Sequence, residues 1–131
     1  MLFRSGERLT ERTFAEYREQ GGIVIIHMMQ PEWIRAGVSD PGVMIASDGM
    51  PYDPGAHPRS AGTFSRFLGR YVRERAILDL EEAVHKASGL AAAHMGIPDR
   101  GVVAPGMLAD LVLFDPERVL DRATQIGRAH V

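Results

Sequence analysis

Val43-Met44-Ile45-Ala46-Ser47-Asp48-Gly49 is an apolar run that stops on an acid. A strand with no polar face belongs inside a parallel sheet covered on both sides, and such folds place their chemistry at the C-terminal ends of their strands. The run therefore predicts a buried strand and makes Asp48 the first candidate for a functional group. Upstream, Ile23-Val24-Ile25-Ile26-His27 is β-branched almost throughout and reads as a neighbouring strand. Pro31 can open a short helix through Trp33 and Ile34 between the two. The order strand, helix, strand is a βαβ crossover of parallel type, which places the chain in the α/β class.

The flanking segments are mostly helical in pattern. Thr10 is placed as an N-cap, with Leu9 and Phe14 set to form a hydrophobic staple, for a helix that stops at Gly21-Gly22. The Pro- and Gly-rich stretch from Gly49 to Gly62 reads as a loop, a lid or rim over the strand ends. From Thr63, the apolar positions Phe64, Phe67, Leu68 and Tyr71 fall at i, i+3, i+4 and i+7 and mark an amphipathic helix. Asp79 with Glu82 predicts a capped helix carried by Leu80, Ala83, Val84 and Ala87 and closed at Gly89. A shorter helix, Leu90 to Met95, ends at Gly96. Beyond Asp99 the character changes: Val102-Val103, a Pro105-Gly106 turn and the run Ala109 to Asp115 read as two strands of a different sheet.

Composition narrows the partners. At 131 residues the chain supports one modest core. The net charge of −2, with Arg and Glu intermixed, leaves no basic stripe for nucleic acid or an anionic membrane. The absence of cysteine excludes disulfides and a thiolate nucleophile and fits a reducing compartment. The apolar run from Gly21 to Met29 is too short to cross a bilayer, and Met1-Leu2-Phe3-Arg4 leads into no secretory segment. The expectation is a soluble, cytoplasmic protein.

A carboxylate at the end of a buried strand can bind a metal, take a proton from water on that metal, or cap the following loop; Ser-Asp-Gly is also an ordinary turn. His27, at the end of the neighbouring strand, is either a ligand or proton carrier on the same face or a hydrogen-bonded rim residue. Arg59 follows His57-Pro58 on the loop, where its fork suits a substrate carboxylate; the alternative is a solvated arginine. Met28, Met29, Met44 and Met50 are pocket lining or core filler, and Arg70 to Arg75 is a solvated helix face.

Several segments together resemble one family. Met44-Ile45-Ala46-Ser47-Asp48-Gly49-Met50-Pro51, His57-Pro58-Arg59, Gly62-Thr63-Phe64, Leu68-Gly69, Leu80-Glu81-Glu82-Ala83-Val84 and Ser88-Gly89-Leu90 look like the D-aminoacylase (N-acyl-D-amino-acid deacylase) branch of the amidohydrolase superfamily. The closing stretch from Asp99 to Pro116 is similar to a C-terminal signature of that superfamily. The resemblance implies a zinc-dependent (β/α)8 TIM barrel with a small composite β-sandwich. It implies hydrolysis of the linear amide of an N-acyl-D-amino acid to a carboxylate and a D-amino acid. By motif match Asp48 is the catalytic acid that touches the metal, and Arg59, with His57, falls where the substrate carboxylate is held.

The resemblance covers only the end of the family's sequence. The His-x-His pair of the first strand, the ligands of the middle strands and about six βα units have no counterpart. A barrel cannot close on two strands, and one carboxylate cannot hold zinc. The expectation is therefore an incomplete barrel in residues 1–98, β-sandwich strands in 99–124, and a tail, 125–131, that breaks the pattern and resembles translated adapter sequence rather than native protein. Such a C-terminal fragment is inactive alone. The alternatives are an amidohydrolase of a cyclic or small amide, or a non-catalytic α/β interaction module.

Overall fold

The computed structural model describes residues 2–4, 7–20, 25–26, 28–49 and 57–122. Two short strands, β1 (Leu2–Arg4) and β2 (Glu7–Arg8), precede helix α1 (Glu11–Gln20), and β3 (Ile25–Ile26) follows it. Helix α1 starts where the sequence places its cap: the Thr13 N–H donates to Thr10 Oγ1 (3.2 Å) and the Thr10 N–H to Thr13 Oγ1 (2.9 Å). It buries no side chain. The sheet has the order β2-β1-β3 and both pairings are antiparallel, with Leu2 opposite Ile26 and Phe3 opposite Ile25.

This corrects the expected parallel crossover. Ile25–Ile26 is a strand, but its ladder partner is β1, and residues 43–46 form no strand at all. An apolar run becomes a central strand only if other strands lie along both edges, and here the Ile45 N–H donates instead to the Lys86 carbonyl of a helix (3.3 Å). Val43, expected to be buried, is 39% exposed.

Helix α2 (Pro31–Ser39) opens on Pro31, whose missing N–H costs nothing at N1. Helix α3 (Arg59–Arg66) runs without a break into a π-helix, Phe67–Glu74, and the chain then forms α4 (Leu80–Ala87) and α5 (Gly89–His94). The expected loop thus ends four residues early, because Pro58 already sits in the helical region (φ −50°, ψ −25°) and its carbonyl accepts the Gly62 N–H at 2.9 Å. Asp79 caps α4 as expected, its Oδ1 accepting the Glu82 N–H at 2.8 Å. Gly96, at φ +67°, follows α5 in the left-handed conformation that a helix exit favours.

Helices α2, α4 and the π-helix share the core. Val38, Phe67 and Ala83 are buried together, with Ile34, Ile45, Leu68, Tyr71, Val72, Ile77, Leu78 and Ala87 packed around them. The segment 116–121 folds back over the π-helix. Arg73 Nη1 donates to the carbonyls of Val119 (2.7 Å) and Pro116 (3.0 Å), and Arg66 pairs with the buried Asp121 carboxylate at 3.1 Å. Burial lowers the affinity of the Arg66 guanidinium for its proton. Hydrogen bonds and charge from Asp121 and Tyr71 outweigh that, so its pKa lies above the ordinary arginine value. Gly69 is required at this crossing, since a Cβ there would stand 2.4 Å from the Val119 carbonyl oxygen.

The two strands expected beyond Asp99 are absent: residues 102–103 and 109–115 form no ladder. Val103 is 88% and Leu113 101% exposed. The turn between them is as expected, with Gly106 at φ +88° and the Met107 N–H donating to the Ala104 carbonyl at 3.2 Å, the type II arrangement that wants Pro then Gly. A strand cannot satisfy its own backbone, so the pattern alone makes none.

Candidate functional site

Asp48 ends the extended approach from α2 in a conformation that side chains rarely adopt, φ +47°. Asp tolerates this region better than most residues, yet backbone of this kind persists only where its surroundings hold it. Two neighbours hold it. The Gly49 N–H donates to Ser47 Oγ (3.2 Å), and Gly49 lies so close to α3 that a Cβ would sit 3.1 Å from Ser60 Cα. The turn is thus pressed against the start of α3, where the helix dipole favours negative charge.

The third grip is Arg59. Its Nε–H donates to the Asp48 carbonyl oxygen at 2.8 Å, and Nη2 pairs with Asp48 Oδ2 at 2.9 Å. One guanidinium therefore binds both the backbone and the carboxylate of one residue. Arg59 can do so because it is the first residue of α3, not a loop residue as its Pro/Gly-rich surroundings suggested. Its own N–H donates to His57 Nδ1 at 3.1 Å, and its carbonyl accepts from Thr63 Oγ1 at 2.9 Å. His57 thereby caps the helix on which Arg59 stands, and with Nδ1 accepting, the neutral ring carries its proton on Nε2.

The structure thus brings Asp48, Arg59 and His57 into one cluster. His27 and Met50 lie outside the described residues. Met28 and Met29 are exposed and Met44 is half-buried, so the methionines build no common wall. His85 and His94 lie on exposed helix faces. The Asp48 side chain is 85% exposed, an anionic oxygen donor held in a fixed place and open to a ligand. A carboxylate of that kind suits one position in a zinc shell. Among the described residues no group of three or more His, Cys, Asp or Glu could hold a metal ion.

Lys86 had no place in the sequence reading. It is fully buried, with Nζ donating to the Asp40 carbonyl. Its position one turn beyond Ala83 on the apolar face of α4 is the signal that marks it.

The model of the Amidohydrolase family matches residues 27–129. The chain is 52% identical over 86 residues to an N-acyl-D-aspartate deacylase of Alcaligenes xylosoxydans xylosoxydans, a match covering 66% of this chain and 17% of that protein. It is similar to a crystal structure of an N-acyl-D-glutamate deacylase from Bordetella bronchiseptica complexed with zinc and a phosphonate inhibitor, a mimic of the reaction's tetrahedral intermediate. The TM-score there is 0.73 at 44% identity, over 77% of this chain and 22% of that one. A D-aminoacylase structure addressing a binuclear metal centre matches with a TM-score of 0.78 at 44% identity, over 82% of this chain and 23% of that one. The chain spans about one fifth of the length of the proteins it matches. No described helix is long and apolar enough to cross a membrane. With the family model matched over most of its length, and with solved relatives sharing its fold over the matched part, this chain belongs to the amidohydrolase family.

Proposed function

We propose that this chain is the closing part of a zinc-dependent N-acyl-D-amino-acid deacylase. In this reading residues 1–98 complete a (β/α)8 barrel begun by other segments, and residues 99–124 add strands to a small β-sandwich. The intact enzyme hydrolyses the amide of a small N-acyl-D-amino acid. Support comes from the deacylase names of the matched relatives and from the approach of Asp48 and Arg59 to each other within the matched segment. That pairing is the observation that carries the proposal.

Asp48 is the proton carrier. Its carboxylate takes a proton from the water that attacks the acyl carbon, and it delivers that proton to the amide nitrogen as the C–N bond breaks, releasing a carboxylate and a free amine. Held at φ +47° by Ser47, Gly49 and Arg59, it needs no reorganisation to face the reacting atoms. Arg59 uses Nε and one Nη2 hydrogen on Asp48, which leaves the Nη1 edge of the fork for the substrate's α-carboxylate. His57 fixes the first turn of α3, and so the origin of the Arg59 side chain. Asp48 would also supply one oxygen to zinc, and zinc, when bound, supplies Lewis acidity toward the scissile carbonyl and the attacking water.

The test is turnover by the intact, zinc-loaded polypeptide on N-acetyl-D-glutamate, N-acetyl-D-aspartate, a neutral N-acetyl-D-amino acid, their L-enantiomers and a hydantoin. Turnover of D-substrates with loss of about 10²- to 10⁴-fold in kcat on Asp48→Asn is expected. Preference for the hydantoin, or an Asp48→Asn variant with unchanged kcat, would overturn the reading.

A further inference from the structure

Lys86 is the chain's single lysine, and none of its surface is exposed. Lysine is almost never fully buried unless it is paired. No ion pair to a carboxylate is formed by it among the described residues. An uncharged thioether of similar length would fill the Lys86 site as well. Packing alone does not account for an ammonium here.

Its side-chain hydrogen bond does. Lys86 Nζ donates to the carbonyl oxygen of Asp40, the residue that caps the C-terminal end of α2 through its own N–H on the Ala36 carbonyl. A helix C-terminus carries partial negative charge and unpaired carbonyls, the environment that best receives a buried cation. The main-chain carbonyl of the same lysine accepts the Ile45 N–H at 3.3 Å. One residue of α4 therefore fastens the segment leaving α2 at two points, Asp40 and Ile45. Three residues beyond the second point stands Asp48. Residues 43–46 have no strand partner among the described residues, so these bonds join the packing of Ile45 against the core and the Arg59 contacts at Asp48 in tying the approach to the helices.

We propose that Lys86 is a positioning residue for Asp48, setting the height and direction of the segment that delivers the carboxylate. This inference rests on the deacylase reading for its catalytic consequence and on the Lys86 Nζ–Asp40 hydrogen bond for its structural one, and the two parts can be tested separately. In the intact, zinc-loaded polypeptide, Lys86→Met keeps the stem and removes the donor, leaving the Asp40 carbonyl without it. The expected result is a fall of about 10- to 100-fold in kcat with KM changed by no more than about twofold, the pattern of a misplaced reacting group rather than lost substrate binding. Amide exchange should quicken at residues 45–49 and stay slow across Arg59–Glu74. Lys86→Arg, which keeps a donor, should restore most of both.

Three results would overturn the inference: unchanged kcat and exchange in Lys86→Met; exchange rising equally in every helix, the mark of a residue that only holds the fold; or Lys86→Arg behaving like Lys86→Met. A wild-type enzyme that turns over no N-acyl-D-amino acid would overturn the deacylase reading instead, and the exchange comparison would still decide whether Lys86 holds residues 45–49.

Discussion

The helices from Arg59 to Ala87 and the segment from Val102 to Phe114 are both rich in apolar side chains, yet they treat them oppositely. Phe67 is 3% exposed and Ala83 not at all, whereas Val112 is 85% and Leu113 101% exposed. The difference lies in the backbone. A helix pairs its N–H and C=O groups internally and needs only one apolar stripe covered, so α4 and the π-helix assemble a core within this chain. A strand must find its partners elsewhere along the sequence or outside it, and until it does its side chains stay in solvent.

The largest expected effect sharpens this contrast. Phe67→Ala should lower the chain's unfolding free energy by about 3 kcal/mol, near the foot of the range for deleting a buried ring because the core is small. Chemical denaturation followed by circular dichroism at 222 nm measures it; a loss below about 1 kcal/mol would mean that the helices do not depend on this core. Gly69→Ala should follow at about 1–3 kcal/mol, because its Cβ would strike the Val119 carbonyl, a backbone atom that cannot swing away. That variant should also release the 116–121 segment, seen as faster amide exchange there. Asp79→Ala removes the Glu82 N–H acceptor at the start of α4 and should cost about 1 kcal/mol.

The same contrast explains what the sequence made legible. Thr10, Pro31, Asp79 and the Pro105-Gly106 turn act through neighbours a few residues away, and the structure has each where local chemistry puts it. The spacing of Phe64, Phe67, Leu68 and Tyr71 marked a helix, though the string did not show that it begins at Arg59 or that its second half winds as a π-helix. Residues 43–46 and the two runs beyond Asp99 form no strand in this chain because pairing is a long-range property: apolar character says a segment wants cover, not which segment supplies it. The antiparallel pairing of Ile25–Ile26 with Leu2–Phe3 was missed for the same reason. At the site, Asp48 stood out by ending an apolar run and Arg59 by its Pro-fixed neighbour. Their double contact, and the buried ammonium of Lys86, depend on how the segment from Asp40 to Asp48 lies against α3 and α4 and left no mark beyond the Ala83-to-Lys86 spacing.

The smallest effect in this chain is the one that most directly breaks the comparison. Leu113→Ala removes a side chain that touches solvent on every side, so its unfolding free energy should stay within about 0.5 kcal/mol of the parent. If residues 109–115 are a strand of a sandwich completed by other segments, the same substitution in the intact polypeptide buries the loss inside a sheet and should cost about 2–5 kcal/mol. Equal, negligible effects in both would mean that Leu113 is a surface residue wherever it is found, and the sandwich assignment for 99–124 would fall. A large effect in the short chain would be equally instructive, since it requires Leu113 to be covered there by self-association. Concentration-dependent sedimentation, abolished by Val112→Lys, would then identify the unpaired edge as the surface through which copies meet.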